Sequence, residues 1–328
     1  MDNIEIKIKE YIRNLSPNIL PVKNFSDITT EKIRGGDYNL NFRVTLDNHN
    51  FLMRFNIEPQ SGLENQIEYE YKTLEFLAPY KIAPVPYHLN NTQKFFPYGL
   101  LIEQYINGSK LVFSIDTVKR AAKTLAKLHT IPLNNKEFLM RWGNPLRQQF
   151  DITCNSLAQY KTRKAANKKL TLLGEKIIKA MEAKLPRIEK NFKPKSFIHT
   201  DVVPSNFVDT GSKIYLIDWE KGRIDDPSYD LAMFFFRLAN LWDSPRVLTK
   251  NEKKAFMEVY ITETGDTSIQ KRINDRLILI TLQSILWAAG RIADVKEGTI
   301  DKMLGRQNYE RYKKAFQLDE LEKIADNL

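Results

Sequence analysis

The chain has 328 residues, 42% of them hydrophobic and 27% charged, so it has ample apolar material for a folded core and is neither a disordered chain nor a collagen-like repeat. Lys and Arg outnumber Asp and Glu by 50 to 40, a net +10 that suggests an anionic partner such as a nucleotide, a nucleic acid or a lipid surface. A single cysteine, Cys154, excludes an internal disulfide framework, and His49, His88, His129 and His199 show no paired ligand spacing.

Residues 1–15 carry Ile4, Ile8, Ile12 and Leu15 on one helical face. Charges interrupt this segment throughout, so it lacks the apolar core of a signal peptide, and a cytoplasmic location is expected. Between residues 32 and 56 the pattern becomes strand-like. Asn41 to Leu46 alternates with period two, Asp47-Asn48-His49-Asn50 has turn chemistry, and Phe51 to Phe55 follows. A second turn at residues 34–39 implies three antiparallel strands. A helix is predicted over 63–78, closed by Pro79. An extended linker follows at Ala83-Pro84-Val85-Pro86, then a strand over 99–105 ending at Asn107-Gly108.

The remainder reads as mainly helical. Helices are predicted over 115–130, 145–160 and 165–190, and a short strand over 214–217. The apolar stretch 277–290, between Arg276 and Arg291, is shorter than the ~20 residues of a membrane span and reads as a buried helix. A boundary near residue 107 divides a β-rich part, 1–107, from a helical part, 108–328.

Three segments follow one another in order: His199-Thr200-Asp201 with Asn206, then Ile217-Asp218-Trp219-Glu220, then Asp226-Pro227-Ser228-Tyr229-Asp230-Leu231-Ala232. Together they resemble the signature of the kinase-like phosphotransferases, the family of choline/ethanolamine kinases and aminoglycoside phosphotransferases. The resemblance spans roughly 30–290 and is strongest over 197–232. It implies an α+β, bilobal protein-kinase-like fold, with a small antiparallel-sheet lobe that binds nucleotide and a larger helical lobe that binds the acceptor.

Phosphoryl transfer to an alcohol needs a carboxylate at the hydroxyl and oxygen ligands for Mg²⁺ on the phosphates. The resemblance gives the first role to Asp201 and the second to Asn206 and Asp218, with ATP as donor. Gly35-Gly36-Asp37-Tyr38-Asn39-Leu40-Asn41-Phe42 looks like the family's phosphate-binding turn, in which glycines let backbone N–H groups approach phosphate oxygens. Arg54 stands where the family has its phosphate-binding Lys or Arg. Glu70 lies on the inward stripe of its helix, three residues after Ile67 and four before Leu74, and a buried carboxylate needs a partner. By resemblance that partner is Arg54. Leu101 to Gly108, with Glu103 and Tyr105, is similar to the strand that reads the adenine edge through backbone groups.

His129, His199 and Asp230 are expected to be structural, and Glu220 is open between supporting the site and touching substrate. Thr200 departs from the usual Gly or Asn. The tryptophan pair that would grip a quaternary ammonium is absent, leaving Trp287, with Tyr229, Trp242 and Phe234 to Phe236 as further aromatic candidates.

The reading that follows is an ATP-dependent phosphotransferase acting on a hydroxyl of a small molecule, an amino alcohol such as choline or an aminoglycoside-like acceptor. The alternative is a kinase or binding protein for an anionic macromolecule such as RNA. It rests on residues 161–195, where 12 basic residues face 3 acidic ones, a net +9 that leaves only +1 on the rest of the chain. A catalytically dead scaffold is disfavoured because Arg54, Asp201, Asn206 and Asp218 are all present.

Overall fold

The computed structural model describes residues 2–33, 39–57, 63, 65–134, 136–299 and 302–328, with the side chains of residues 2, 3, 242, 243 and 302–308 left undescribed. The predicted glycine turn with Gly35 and Gly36, and the Trp242 side chain, therefore lie outside the described residues. The chain forms two compact units. One is Met1–Lys110 together with Asn206–Lys221; the other is Leu111–Ser205 together with Gly222–Leu328.

The first unit is built on an antiparallel sheet of β1 (Ile28–Ile33), β2 (Asn39–Leu46), β3 (His49–Asn56), β4 (Pro86–Asn90) and β5 (Gly99–Gln104), in the order β1-β2-β3-β5-β4. The hairpin β2–β3 closes through Asp47 and Asn48 with φ of 49° and 60°, the left-handed pair that a tight hairpin turn requires and that Asp and Asn tolerate. Register pairs Phe42 with Met53 and Val44 with Phe51. Alternation then sends these side chains to one face, where Ile8, Tyr11 and Ile12 of α1 (Asp2–Arg13) cover them. Each such burial contributes about 1.5–3 kcal/mol. The opposite face carries Arg54 and Glu103, and α2 (Gln66–Leu77) packs on β4 and β5.

Helix α2 begins three residues later than expected, and Pro79 falls in a short 3₁₀ turn, Ala78–Tyr80. The expected linker runs into the unanticipated β4, an edge strand whose first residue is Pro86, where a missing N–H costs no ladder bond. A second, three-stranded sheet of β6 (Ser109–Lys110), β8 (Phe207–Asp209) and β9 (Ile214–Leu216) completes this unit.

The second unit pairs β7 (Ser196–Ile198) with β10 (Arg223–Asp225) and surrounds them with helices: α3 (Ile115–His129), α4 (Pro145–Lys161), α5 (Lys168–Ile188), α6 (Ser228–Phe235), α7 (Arg237–Asp243), α8 (Lys250–Thr264), α9 (Ile269–Glu297), α10 (Lys302–Ala315) and α11 (Leu318–Asp326). Ser114 and Thr117 form a capping box that fixes the start of α3. Helix α9 runs straight through both arginines that bounded the apolar stretch. By length and composition it could cross a membrane, but half of its apolar window is buried among α4, α6 and α10, and Arg272 and Arg276 are ion-paired inside the unit.

Candidate active site

In the second unit, β7 delivers the chain into His199-Thr200-Asp201. The anchor of this loop is Asp230, in the first turn of α6 and fully buried. Its Oδ2 accepts from the His199 N–H at 2.7 Å and contacts His129 Nε2 at 3.0 Å, while Oδ1 accepts from the Thr200 N–H at 2.7 Å. His129 in turn meets the Tyr260 hydroxyl through Nδ1 at 2.8 Å. Burial pushes the Asp230 carboxyl up, but the His129 hydrogen bond, both histidine rings and the His199 N–H outweigh it and hold it below its ordinary range. The Asp201 N–H donates to His199 Nδ1 at 3.2 Å, so His199 braces the loop. Thr200 has a φ of 75°, a left-handed conformation that is rare for a β-branched residue and costs roughly 1–2 kcal/mol. The Thr200 departure noted in the sequence is thus a side chain placed where glycine or asparagine fits more easily, and the Asp230 bond to its N–H holds it there.

In the first unit a second constellation surrounds Arg54, which is 3% exposed. Its Nη1 lies 2.9 Å from Glu70 Oε1 and 2.6 Å from Asp218 Oδ1. The Glu70 contact is a close ion pair without hydrogen-bond alignment, and Arg54 Nε has no hydrogen-bond partner among the described residues. Glu103, on the same sheet face, is equally buried. Burial opposes charge on Arg54, but Glu70, Asp218 and Glu103 more than compensate, and its pKa rises well above the usual guanidinium range. One guanidinium cannot neutralise three carboxylates. Burial pushes the Glu103 carboxyl up to about 7, against the pull of Arg54 and with the help of Asp218.

Glu220 sits beside this cluster. Its Oε2 accepts from Asn39 Nδ2 at 2.9 Å and from Gln66 Nε2 at 2.8 Å, and Asn56 Nδ2 donates to Asn39 Oδ1 at 3.1 Å. Burial and the Asp218 charge raise the Glu220 pKa despite these bonds. Asn39 therefore spends its side chain on Glu220. Gln66 was not anticipated, although it lies four residues before Glu70 on the same helical stripe, a spacing that could have found it.

The two expected metal ligands are neighbours in this unit. The Asn206 carbonyl accepts from the Ile217 N–H at 3.0 Å, which sets Asn206 beside Ile217-Asp218, and Trp219 pins the turn with its indole N–H on the Leu216 carbonyl at 2.9 Å. Asp218 itself has a φ of 71°. Among the described residues no three His, Cys, Asp or Glu side chains form a metal cluster. Mg²⁺ commonly takes one or two protein oxygens, the rest coming from phosphates and water. Asn206 and Asp218, in an environment with surplus carboxylates, fit that requirement.

The remaining expected residues are dispersed. Glu103 pairs with Leu52 on one side and with Pro86, which has no N–H, on the other. Tyr105 lies just beyond β5 and near Arg43, 5.8 Å from its ring. Trp287, 43% exposed on α9, meets Tyr312 of α10 edge-on at 5.5 Å. Phe234 to Phe236 are buried core, stacked in part on Phe256. Tyr229 is flanked by the guanidinium groups of Arg223 and Arg276.

Half of the twelve basic residues in 161–195 have an acidic partner among the described residues. Arg163 pairs with Asp294 and Glu297, Lys184 with Asp275, Lys195 with Asp266, Lys169 with Glu322, Lys176 with Asp326 and Lys161 with Glu175. Leu170, Ile177 and Met181 face inward, with Leu173 half-buried. This is an amphipathic helix with its apolar side inward and part of its charge paired with α9 and α11.

The fold and these motifs define a kinase-like phosphotransferase. A model of the phosphotransferase enzyme family matches residues 29–262, and the chain belongs to that family. It is 23% identical over 230 residues to a LicA homolog protein of Mycoplasma capricolum subsp. capricolum, covering 70% of this chain and 78% of that one. Among solved structures it is similar to an ethanolamine kinase of Plasmodium vivax, with a TM-score of 0.68, 18% identity and coverage of 97% and 89% of the two chains. It is also similar to the choline kinase LicA of Streptococcus pneumoniae, with a TM-score of 0.62, 19% identity and coverage of 96% and 99%. The bilobal kinase-like α+β fold and a kinase acting on a hydroxyl acceptor are thereby established.

Proposed function

We propose that the protein transfers the γ-phosphate of ATP to the hydroxyl of a small amino alcohol, acting in the cytoplasm. The observation that carries this reading is the buried Arg54, shared between Glu70 and Asp218, with Asn206 beside the Asp218 turn. In this reading Arg54 meets the nucleotide phosphates, backbone N–H groups of Gly35 and Gly36, ahead of Asn39, would approach them, and Glu103 and Tyr105 border the adenine. Mg²⁺, held by Asn206 and Asp218, would neutralise charge on the phosphates. Asp201 orients the acceptor hydroxyl and takes its proton as the new oxygen–phosphorus bond forms and the bond to the ADP oxygen breaks. Glu220, held by Asn39 and Gln66, supports the nucleotide side, and Trp287 is available to the acceptor. The relatives named for choline and ethanolamine favour an amino alcohol over an aminoglycoside.

The test is an ATP-consumption screen across amino alcohols, aminoglycosides and sugars, repeated with Asp201→Ala. Turnover with an amino alcohol is expected, and its loss by a factor of at least ~10³ in the variant. Transfer that survives Asp201→Ala unchanged would refute the mechanism.

A further inference from the structure

We infer that Arg223 is a specificity-determining residue whose guanidinium fills, from within the chain, an aromatic slot between Trp142 and Tyr229 that is otherwise suited to a quaternary ammonium group. Its bearing on acceptor choice rests on the kinase reading; the slot itself does not. The Arg223 Cζ lies 3.5 Å from the Trp142 ring centroid and 4.5 Å from that of Tyr229. The two rings stand 6.4 Å apart at 83°, forming a two-walled corner. A cation is attracted to an aromatic face within about 6 Å of its centroid, and both walls here meet that condition around one point. The backbones that carry the walls are fixed: the Trp142 backbone N–H donates to the Ile224 carbonyl at 3.0 Å, and Tyr229 is the second residue of α6, with its N–H on the Asp226 carbonyl at 3.1 Å.

Arg223 is held from two sides, by a carboxylate and by the rings. Its Nε and Nη2 donate to Asp225 Oδ2 at 3.0 and 2.9 Å. The other oxygen of Asp225 already has Arg276, a fully buried guanidinium that also donates to Gln149 at 2.7 Å and to the Pro145 carbonyl at 3.1 Å. Asp225 therefore keeps one guanidinium partner if Arg223 is removed, and the adjoining Asp226 and Asp266 are held by Arg272. Arg223 Nη1 has no hydrogen-bond partner among the described residues, although the residue is only 8% exposed. A nearly buried guanidinium laid against two aromatic rings has the chemistry of an internal ligand. Removing it leaves the Asp225–Arg276 pair intact and uncovers the rings.

The experiment titrates the full-length protein with tetramethylammonium chloride, against sodium chloride at matched ionic strength, by tryptophan fluorescence. Arg223→Ala is expected to lower the dissociation constant at least tenfold relative to wild type, and adding Trp142→Phe is expected to abolish the saturable change. With the kinase active, the choline KM falls at least tenfold in Arg223→Ala while the ATP KM is retained. Arg223→Ser, which keeps a donor for Asp225, is read in the same way if the alanine variant does not melt cooperatively. A wild type that already shows the saturable, Trp142-dependent response overturns the inference, and so does a folded variant that shows none. Absence of any phosphate transfer counts against the kinase reading and leaves the ammonium result standing.

Discussion

Asp230→Asn isolates the anchor of the His199-Thr200-Asp201 loop, catalytic in the proposed function, with almost no change in shape. The carboxylate serves three groups: the N–H of His199, the N–H of Thr200 and His129 Nε2. An asparagine offers one acceptor oxygen and one donor amino group. The amide can serve His129 in its other tautomer and one backbone N–H, so the second N–H is left buried and unpartnered at a cost of about 1–3 kcal/mol. The surviving backbone bond also loses its charge assistance, about 1 kcal/mol more. Together these come to roughly 2–4 kcal/mol, a large share of the ~5–15 kcal/mol that stabilises a typical domain. The Thr200 backbone is the place where this matters for function, because a left-handed β-branched residue relaxes once its N–H is released, and Asp201 moves with it. Displacement of a catalytic group by about 1 Å can cost ~100-fold. Urea denaturation followed by circular dichroism, paired with steady-state kinetics, is expected to show the lost stability and a kcat at least tenfold lower, with the ATP KM nearly unchanged. A variant within ~0.5 kcal/mol of wild type, or one destabilised but with full kcat, would refute the reasoning.

Two further outcomes follow from charge. Glu103 has a pKa raised to about 7, so the fold favours its neutral form. The associated stability is complete below the unfolded value near 4.5 and is lost as pH rises through 7. Glu103→Gln should flatten that decline and be more stable than wild type at pH 8, by no more than about 3 kcal/mol, in denaturant titrations at pH 5 and pH 8; an unchanged slope contradicts the assignment. Replacing Lys168, Lys169, Lys176 and Lys179 by Gln should alter stability by no more than roughly 1 kcal/mol and leave acceptor KM unchanged, since two of the four already pair with α11. Tight RNA binding that falls steeply with salt in wild type and disappears in this variant would restore the polyanion reading.

The parts of the molecule that were readable in advance are those governed by local periodicity. The hairpin announced itself through alternation and an Asp-Asn turn, and Glu70 as a buried carboxylate through its place on an apolar helical stripe, while Arg54 as its partner came from the family resemblance. Strand β4 was hidden because prolines obscure alternation, and β7, β8 and β10 are three residues each, too short for any period to register. Thr200 was visible as a departure, but its left-handed backbone was not, because that depends on Asp230 thirty residues away. Glu220 and its amide partners lie 154 and 181 residues apart, and no local pattern marks such an arrangement. Arg223 was missed for the same reason: a single arginine in a strand says nothing of the rings that close on it.

The segment Asn206–Lys221 belongs with Met1–Lys110 although 95 residues of the other unit intervene. The two units are thus not beads on a string, and no single cut of the chain separates them. A fragment ending at Lys110 would keep Arg54 but lose Asp218, strand its buried guanidinium beside Glu70, and leave Asn39 and Gln66 without Glu220. It would also leave β6 with no strand to pair with. A fragment carrying the whole first unit must therefore be built by joining two stretches of sequence, and exchanging the second unit means grafting around the Asn206–Lys221 segment that interrupts it.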